Sequence, residues 1–182
     1  MRIGIAAILA SLTVVSLAGC ERAAAPAAVP AATPVLRHQA DATREQIWLL
    51  TRDGVSVQVR SRPGRTLVEL PGWVWASGQW ACPPDLALGP NGEAVVTSNV
   101  VPTLWKINPE TLAVTVHPLQ LDADLDKDIG FSELVYSKDE GAFLAVSDTY
   151  GARWKIDAQL ATARKVSGNA PLSNACRLRG GA

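Results

Sequence analysis

Histidine is almost missing from this chain and cysteine is scarce. His38 and His117 are the two histidines, and neither lies in a serine-aspartate setting that would make a nucleophile and its base. No glycine-rich phosphate loop is present. An excess of one charge is lacking as well: 17 basic residues meet 17 acidic ones. That balance removes the electrostatic case for nucleic acid or for an anionic membrane surface. Beyond residue 20 no stretch is long and apolar enough to span a bilayer, and helical patterning is nearly absent. Short apolar runs, turn residues and tryptophans make up the rest, and they predict an all-β protein.

The first residues are different in kind. Met1-Arg2 is followed by Ile3 to Ser16 with almost no polar side chains, and then by Leu17-Ala18-Gly19-Cys20. This resembles a bacterial lipoprotein signal peptide: Arg2 is the positive start, the apolar run is short for a membrane span, and small residues precede a cysteine. The resemblance implies cleavage after Gly19 and lipidation of Cys20 with palmitate-type chains. Two or more such chains anchor stably where one does not. An uncleaved anchor helix is the alternative. Glu21 stands where the family places an aspartate for inner-membrane retention, so the expected address is the outer membrane, facing the periplasm.

The expected organisation is a signal peptide over 1–19, a lipidated cysteine and Ala/Pro-rich tether over 20–36, and one β domain over 37–182. Alanine and proline without a periodic apolar face make an extended spacer. With Cys20 used for lipid, Cys82 and Cys176 remain as an even pair in an oxidising compartment and are expected to form a disulfide. Two buried free thiols are the alternative.

An internal repeat sets the architecture. Asp85 to Asn99 matches Glu133 to Asp148: a short apolar strand, a turn ending in Gly92 or Gly141, then a second apolar strand. Trp105-Lys106-Ile107-Asn108 and Trp154-Lys155-Ile156-Asp157 follow at the same distance. A third hairpin, Ile47 to Val59, aligns by pattern with Leu104 to Val116, which places Trp48, Trp105 and Trp154 at equivalent core positions. Alternating valines at 55, 57 and 59 mark half-buried strands. Four antiparallel strands in roughly 40 to 50 residues describe a propeller blade.

The stretch Ala145 to Asp157 resembles the blade consensus of NHL-type and gluconolactonase-like propellers, and Asp85 to Asn108 resembles the same unit. The fold expected is therefore propeller-like, with about two full four-stranded blades plus a hairpin. Rings of this kind hold about six blades. Completion by an oligomer, an open stack capped by the Trp-rich segment, and a relic of a longer gene are the three outcomes left open. The resemblance also implies an axial divalent metal in the enzymes of the group, and the positions matching its ligands are Asp85 and Glu133. Two carboxylates fall short of the usual three or four ligands; the other reading has them bonding turns at the blade edge.

Two further groups carry chemistry. Asp122, Asp124, Asp126 and Glu133 hold positions 1, 3, 5 and 12 of a calcium-type loop, although Lys127 stands where the sharp turn wants glycine. Calcium is thus the one cofactor suggested, and none is required; a solvated acidic turn is the alternative. Trp73, Trp75 and Trp80 form a cluster that serves either as a stacking platform for sugar or peptide or as a plug over an open edge. The leading expectation is an envelope lipoprotein held in the membrane by its lipid. Its blade domain binds a partner, scaffolds or self-associates without catalysis. The second is a metal-dependent lactonase or esterase-like hydrolase, active only when an oligomer completes the ring.

Overall fold

A computed structural model describes residues 33–78, 81–122, 129–147 and 151–169. The chain divides into two units, 1–31 and 32–182, and every described residue belongs to the second. Among the described residues all elements are strands: β1 (Val35–Asp41), β2 (Gln46–Thr51), β3 (Gly54–Val59), β4 (Thr66–Val68), β5 (Leu86–Leu88), β6 (Ala94–Val96), β7 (Thr103–Ile107), β8 (Val114–Pro118), β9 (Gln120–Leu121), β10 (Phe131–Ser137), β11 (Ala142–Ser147), β12 (Ala152–Ile156) and β13 (Thr162–Asn169). They form three antiparallel meanders: β1-β2-β3-β4, β5-β6-β7-β8, and β10-β11-β12-β13, with β9 added in parallel to the outer edge of β13. We call these blades 1, 2 and 3. The all-β, blade-repeat architecture is as expected.

Blade 1 holds more than the expected hairpin. β1 pairs with β2 on one side and β4 with β3 on the other, so this unit is four-stranded too. β1 starts at Val35, inside the segment read as tether. Trp48 also needs correcting. It lies on the second strand of blade 1, whereas Trp105 and Trp154 lie on the third strands of blades 2 and 3. The two hairpins share an apolar-turn-apolar pattern, and a period of two cannot tell one meander hairpin from the next.

Alternation of side chains explains how the blades stack. In blade 2 both faces are buried. Leu86, Val96, Trp105 and Ile107 pack on Trp48, Leu50, Val55 and Val57 of blade 1. Ala87, Val95 and Leu104 pack on Phe131, Leu134, Phe143, Trp154 and Ile156 of blade 3. That is why β5 and β6 read as unbroken apolar runs while β3 and β10 are mixed. Each large side chain so buried contributes about 1.5–3 kcal/mol.

Backbone contacts fix the blade 2–blade 3 junction. The Phe131 N–H donates to the Ser98 carbonyl at 2.6 Å. Next to it, a Cβ on Gly130 would collide with the backbone of Asn99 and Val100. At the junction of blades 1 and 2, Gly92 (φ +80°) lies beneath the Asp41 and Arg44 side chains.

Candidate functional site

Each blade carries a charged residue at an equivalent position within or just before its first strand. The turn after β1 closes at Asp41 and the turn after β10 at Ser137; four residues earlier stand Arg37 and Glu133. The two strands carry matching irregularities, between Val35 and Arg37 and between Phe131 and Glu133. In blade 2 the corresponding turn closes at Gly89, whose N–H donates to the Glu93 carbonyl, and four residues earlier stands Asp85. Arg37, Asp85 and Glu133 are therefore quasi-equivalent.

Asp85 is the hub of this set and is 2 % exposed. Arg37 clasps it through Nε to Oδ1 and through Nη2 to Oδ2, the latter at 2.9 Å. Oδ2 also accepts the Leu134 N–H of blade 3 at 2.9 Å, and Oδ1 the Leu86 N–H at 2.7 Å. One carboxylate thus joins three blades. The hydrogen bonds to Asp85 raise the Arg37 pKa above its ordinary value against the pull of burial, with the charges of Asp85 and Glu133 adding to the rise. The Glu133 carboxylate makes no hydrogen bond or salt bridge among the described residues, and its charge acts on Arg37 at longer range.

This geometry does not fit an axial metal. Both oxygens of Asp85 are already committed to a guanidinium and to backbone N–H groups. No group of three or more His, Cys, Asp or Glu side chains that could hold a metal occurs among the described residues. Asp85 bonds across blades, to Arg37 of β1 and Leu134 of β10, and not to a turn.

The calcium-type loop is not brought together as its spacing suggested. Asp122 lies at the outer edge of blade 3, its N–H on the Ala163 carbonyl and its Oδ1 accepting the Lys165 N–H at 2.9 Å. Glu133 lies on β10 at the opposite edge of the same sheet. Four strand spacings separate the two edges, about 19 Å, too far to share one ion. Asp124 and Asp126 lie outside the described residues.

Two of the three clustered tryptophans are described. The Trp73 indole N–H donates to the Thr97 carbonyl at 3.0 Å, and that of Trp75 to the Arg52 carbonyl at 3.2 Å. Their rings are 6.1 Å apart and tilted by 30°, and the Arg52 guanidinium stands 6.0 Å from the Trp75 ring centre. Ser98 Oγ holds the Val74 carbonyl, while the Asn99 side chain bonds both the N–H and the carbonyl of Ala76 and also the Cys82 carbonyl. The segment is thereby strapped to the end of β6, with both indole rings half-buried. A cleft of about 270 Å³ opens beside Trp73, between Asp53 and Glu69. Trp80 and Cys176 lie outside the described residues, and so do Cys20 and the whole of 1–32.

Sequence reasoning missed Arg37, Ser98, Asn99 and Gly130. Ser98 and Asn99 had a signal, since both fall within the repeat. Arg37 had none, because β1 reads as polar linker. His117 sits at the edge of blade 2 with Nε2 2.9 Å from Thr115 Oγ1, its pKa lowered by burial and then by Lys106.

No protein-family model matches the chain, and no curated protein matches it in sequence. Solved structures do. A streptogramin B lyase aligns over 76 % of this chain and 41 % of its own, at 13 % identity and a TM-score of 0.54. Virginiamycin B lyase from Staphylococcus aureus aligns over 74 % and 41 %, at 14 % identity and a TM-score of 0.52. An extracellular domain from Bacteroides thetaiotaomicron aligns over 74 % of this chain and 16 % of its own, at 16 % identity and 0.50.

The fold is that of a β-propeller.

At these identities the likeness is one of fold, and propellers serve many functions. The chain spans under half the length of the lyases it matches. Among the described residues no helix is long and apolar enough to cross a membrane.

Proposed function

We propose that this chain is an envelope lipoprotein, anchored through lipid on Cys20, whose propeller-like domain binds or scaffolds another molecule without catalysis. The observation that carries the non-catalytic part is the saturation of Asp85. The axial carboxylate best placed for chemistry holds three blades together instead. Tryptophan rings at 73 and 75, braced by backbone bonds and flanked by a cleft with two carboxylates, offer a surface for a sugar or a peptide. The address rests on Leu17 to Cys20, and the expected location is the outer membrane, facing the periplasm. A Cys82–Cys176 disulfide belongs to this reading. Calcium, if it binds, does so through Asp122 to Asp126 without Glu133.

The test uses the full chain in a diderm bacterium. Mass spectrometry of the N-terminal peptide is expected to show an acylated Cys20, and Cys20→Ser to leave the membrane fraction without lipid. The purified protein is expected to show no lactone or ester turnover with calcium or with EDTA. Calcium-dependent turnover abolished by EDTA would instead establish a hydrolase, and an unacylated membrane-bound Cys20 would establish an uncleaved anchor.

A further inference from the structure

The cleft beside Trp73 is lined by apolar groups and by two charges of one sign. Leu67, Leu70 and Trp73 supply apolar surface, and Asp53 and Glu69 supply the two carboxylates. Both acids are exposed. Asp53 Oδ2 accepts a hydrogen bond from Thr33 Oγ1 at 2.9 Å, while the Glu69 carboxylate has no hydrogen bond or salt bridge among the described residues. No cation lines the cleft. Arg52, the nearest in sequence, stands instead 6.0 Å from the centre of the Trp75 ring. Trp75 thus has a cation from this chain, and Trp73, 6.1 Å from it, has none among the described residues.

A strand edge meets the same cleft. β4 gives Leu67 and Val68 to the lining, Glu69 follows it directly, and β4 is the last strand of blade 1. Among the described residues nothing pairs with its outer edge. The corresponding edge of blade 3 is filled, because β9 lies there parallel to β13. The outer strand of a blade in this fold therefore accepts an added strand. At β4 such a strand would run beside an apolar and acidic cleft that can take its side chains.

We propose that this cleft binds an extended peptide carrying lysine or arginine. The peptide backbone pairs with the outer edge of β4, and its cationic side chain lies against Trp73 between Asp53 and Glu69. Backbone pairing supplies affinity whatever the sequence, and the carboxylates and the ring select the side chain. A long cationic side chain suits both, since its stem covers apolar surface while its head meets the opposite charge. A sugar has no strand to add, and an acidic peptide meets two like charges. The proposal rests on a binding role for this domain and not on the lipid anchor.

The probe is a capped pentapeptide of alternating alanine and lysine, titrated into the full chain in uncharged detergent and followed by tryptophan fluorescence. Three comparators go with it: the same peptide with glutamine for lysine, the lysine peptide N-methylated throughout, and a trimer of N-acetylglucosamine. The lysine peptide is expected to bind about tenfold more tightly than each of these at low salt, and to weaken as salt rises. Glu69→Gln removes an exposed carboxylate without a partner, so circular dichroism and melting are expected to be unchanged while Kd rises about three- to fivefold. Asp53→Asn keeps an acceptor for Thr33 and is expected to act alike. A glutamine peptide that binds as tightly, or a Kd indifferent to Glu69→Gln, would overturn the selection by charge. Undiminished binding of the methylated peptide would overturn the strand pairing. Preference for the sugar overturns the proposal and leaves the binding role standing, whereas ester or lactone turnover overturns that role itself. Failure of all four probes to bind overturns the proposal and removes this surface from the binding role.

Discussion

Three tryptophans fill comparable volumes in the two cores, yet their indole N–H groups fare differently. That of Trp105 donates to the Pro71 carbonyl at 2.8 Å, whereas those of Trp48 and Trp154 are buried without an acceptor. A donor left unmatched in the interior costs free energy that a matched one does not. Trp105→Phe and Trp154→Phe remove similar apolar contact, but only the first breaks a hydrogen bond and strands a carbonyl. Trp105→Phe is therefore expected to be the more destabilising by about 1–2 kcal/mol, read as the difference in urea midpoints at constant slope. At this scale the sequence was legible where a side chain is large and repeated: Trp105 and Trp154 announce themselves. Arg37 did not, because its role depends on Asp85, which is far away along the chain and close only once the first strands of blades 1 and 2 lie side by side. Glu133 shows the opposite failure. Its spacing from Asp122 imitated a loop ligand, while the sheet carries the two to opposite edges.

Turns between the strands repeat a device of their own. Asn108 Oδ1 accepts the N–H groups of Glu110 and Thr111, and Asp157 accepts those of Gln159, Ala161 and Thr162. Each cap brings a leucine, Leu112 or Leu160, to a φ of +59°. The repeated Trp-Lys-Ile-Asn/Asp is thus a strand that ends in its own turn cap. For Asp157, burial raises the pKa, but bonds from Thr162 and the turn N–H groups outweigh it and leave it lowered. The unfolded chain then binds this proton more readily than the folded one. The contribution is complete above the ordinary aspartate range and is lost as pH falls through the folded value. Asp157→Asn is expected to flatten the loss of stability below about pH 4 while leaving the melting curve at pH 7 as steep as before, measured by thermal melts across that range. Elements with strong alternation or a paired motif were readable in advance; β1 and β4 were not. β4 is three residues long, and β1 carries Arg37, His38 and Gln39 among few apolar side chains.

The molecule as a whole is organised by its middle blade, which shares a core with each neighbour. Unfolding any one blade exposes the face of another, so a single cooperative transition is expected. Gly130 tests this from the junction of blades 2 and 3. Gly130→Ala presses a methyl group into the backbone of Asn99 and Val100, neither of which can yield like a flexible side chain. A loss of about 3 kcal/mol in one undivided transition is expected in denaturant unfolding followed by tryptophan fluorescence and circular dichroism together. Two separated transitions would show that blade 3 is held less tightly than its buried face implies.

β9 has a consequence for the order of events during synthesis. Gln120 and Leu121 leave blade 2 and lie alongside Thr162 and Ala163, the start of the last strand of blade 3. Every other strand of that blade is made between them. Blades 1 and 2 can close from neighbouring hairpins as they emerge, but this edge waits until about forty further residues have left the ribosome. The slowest step in acquiring the native topology should therefore be the arrival of β13, and nascent chains stopped before residue 162 should hold two finished blades and an unfinished third.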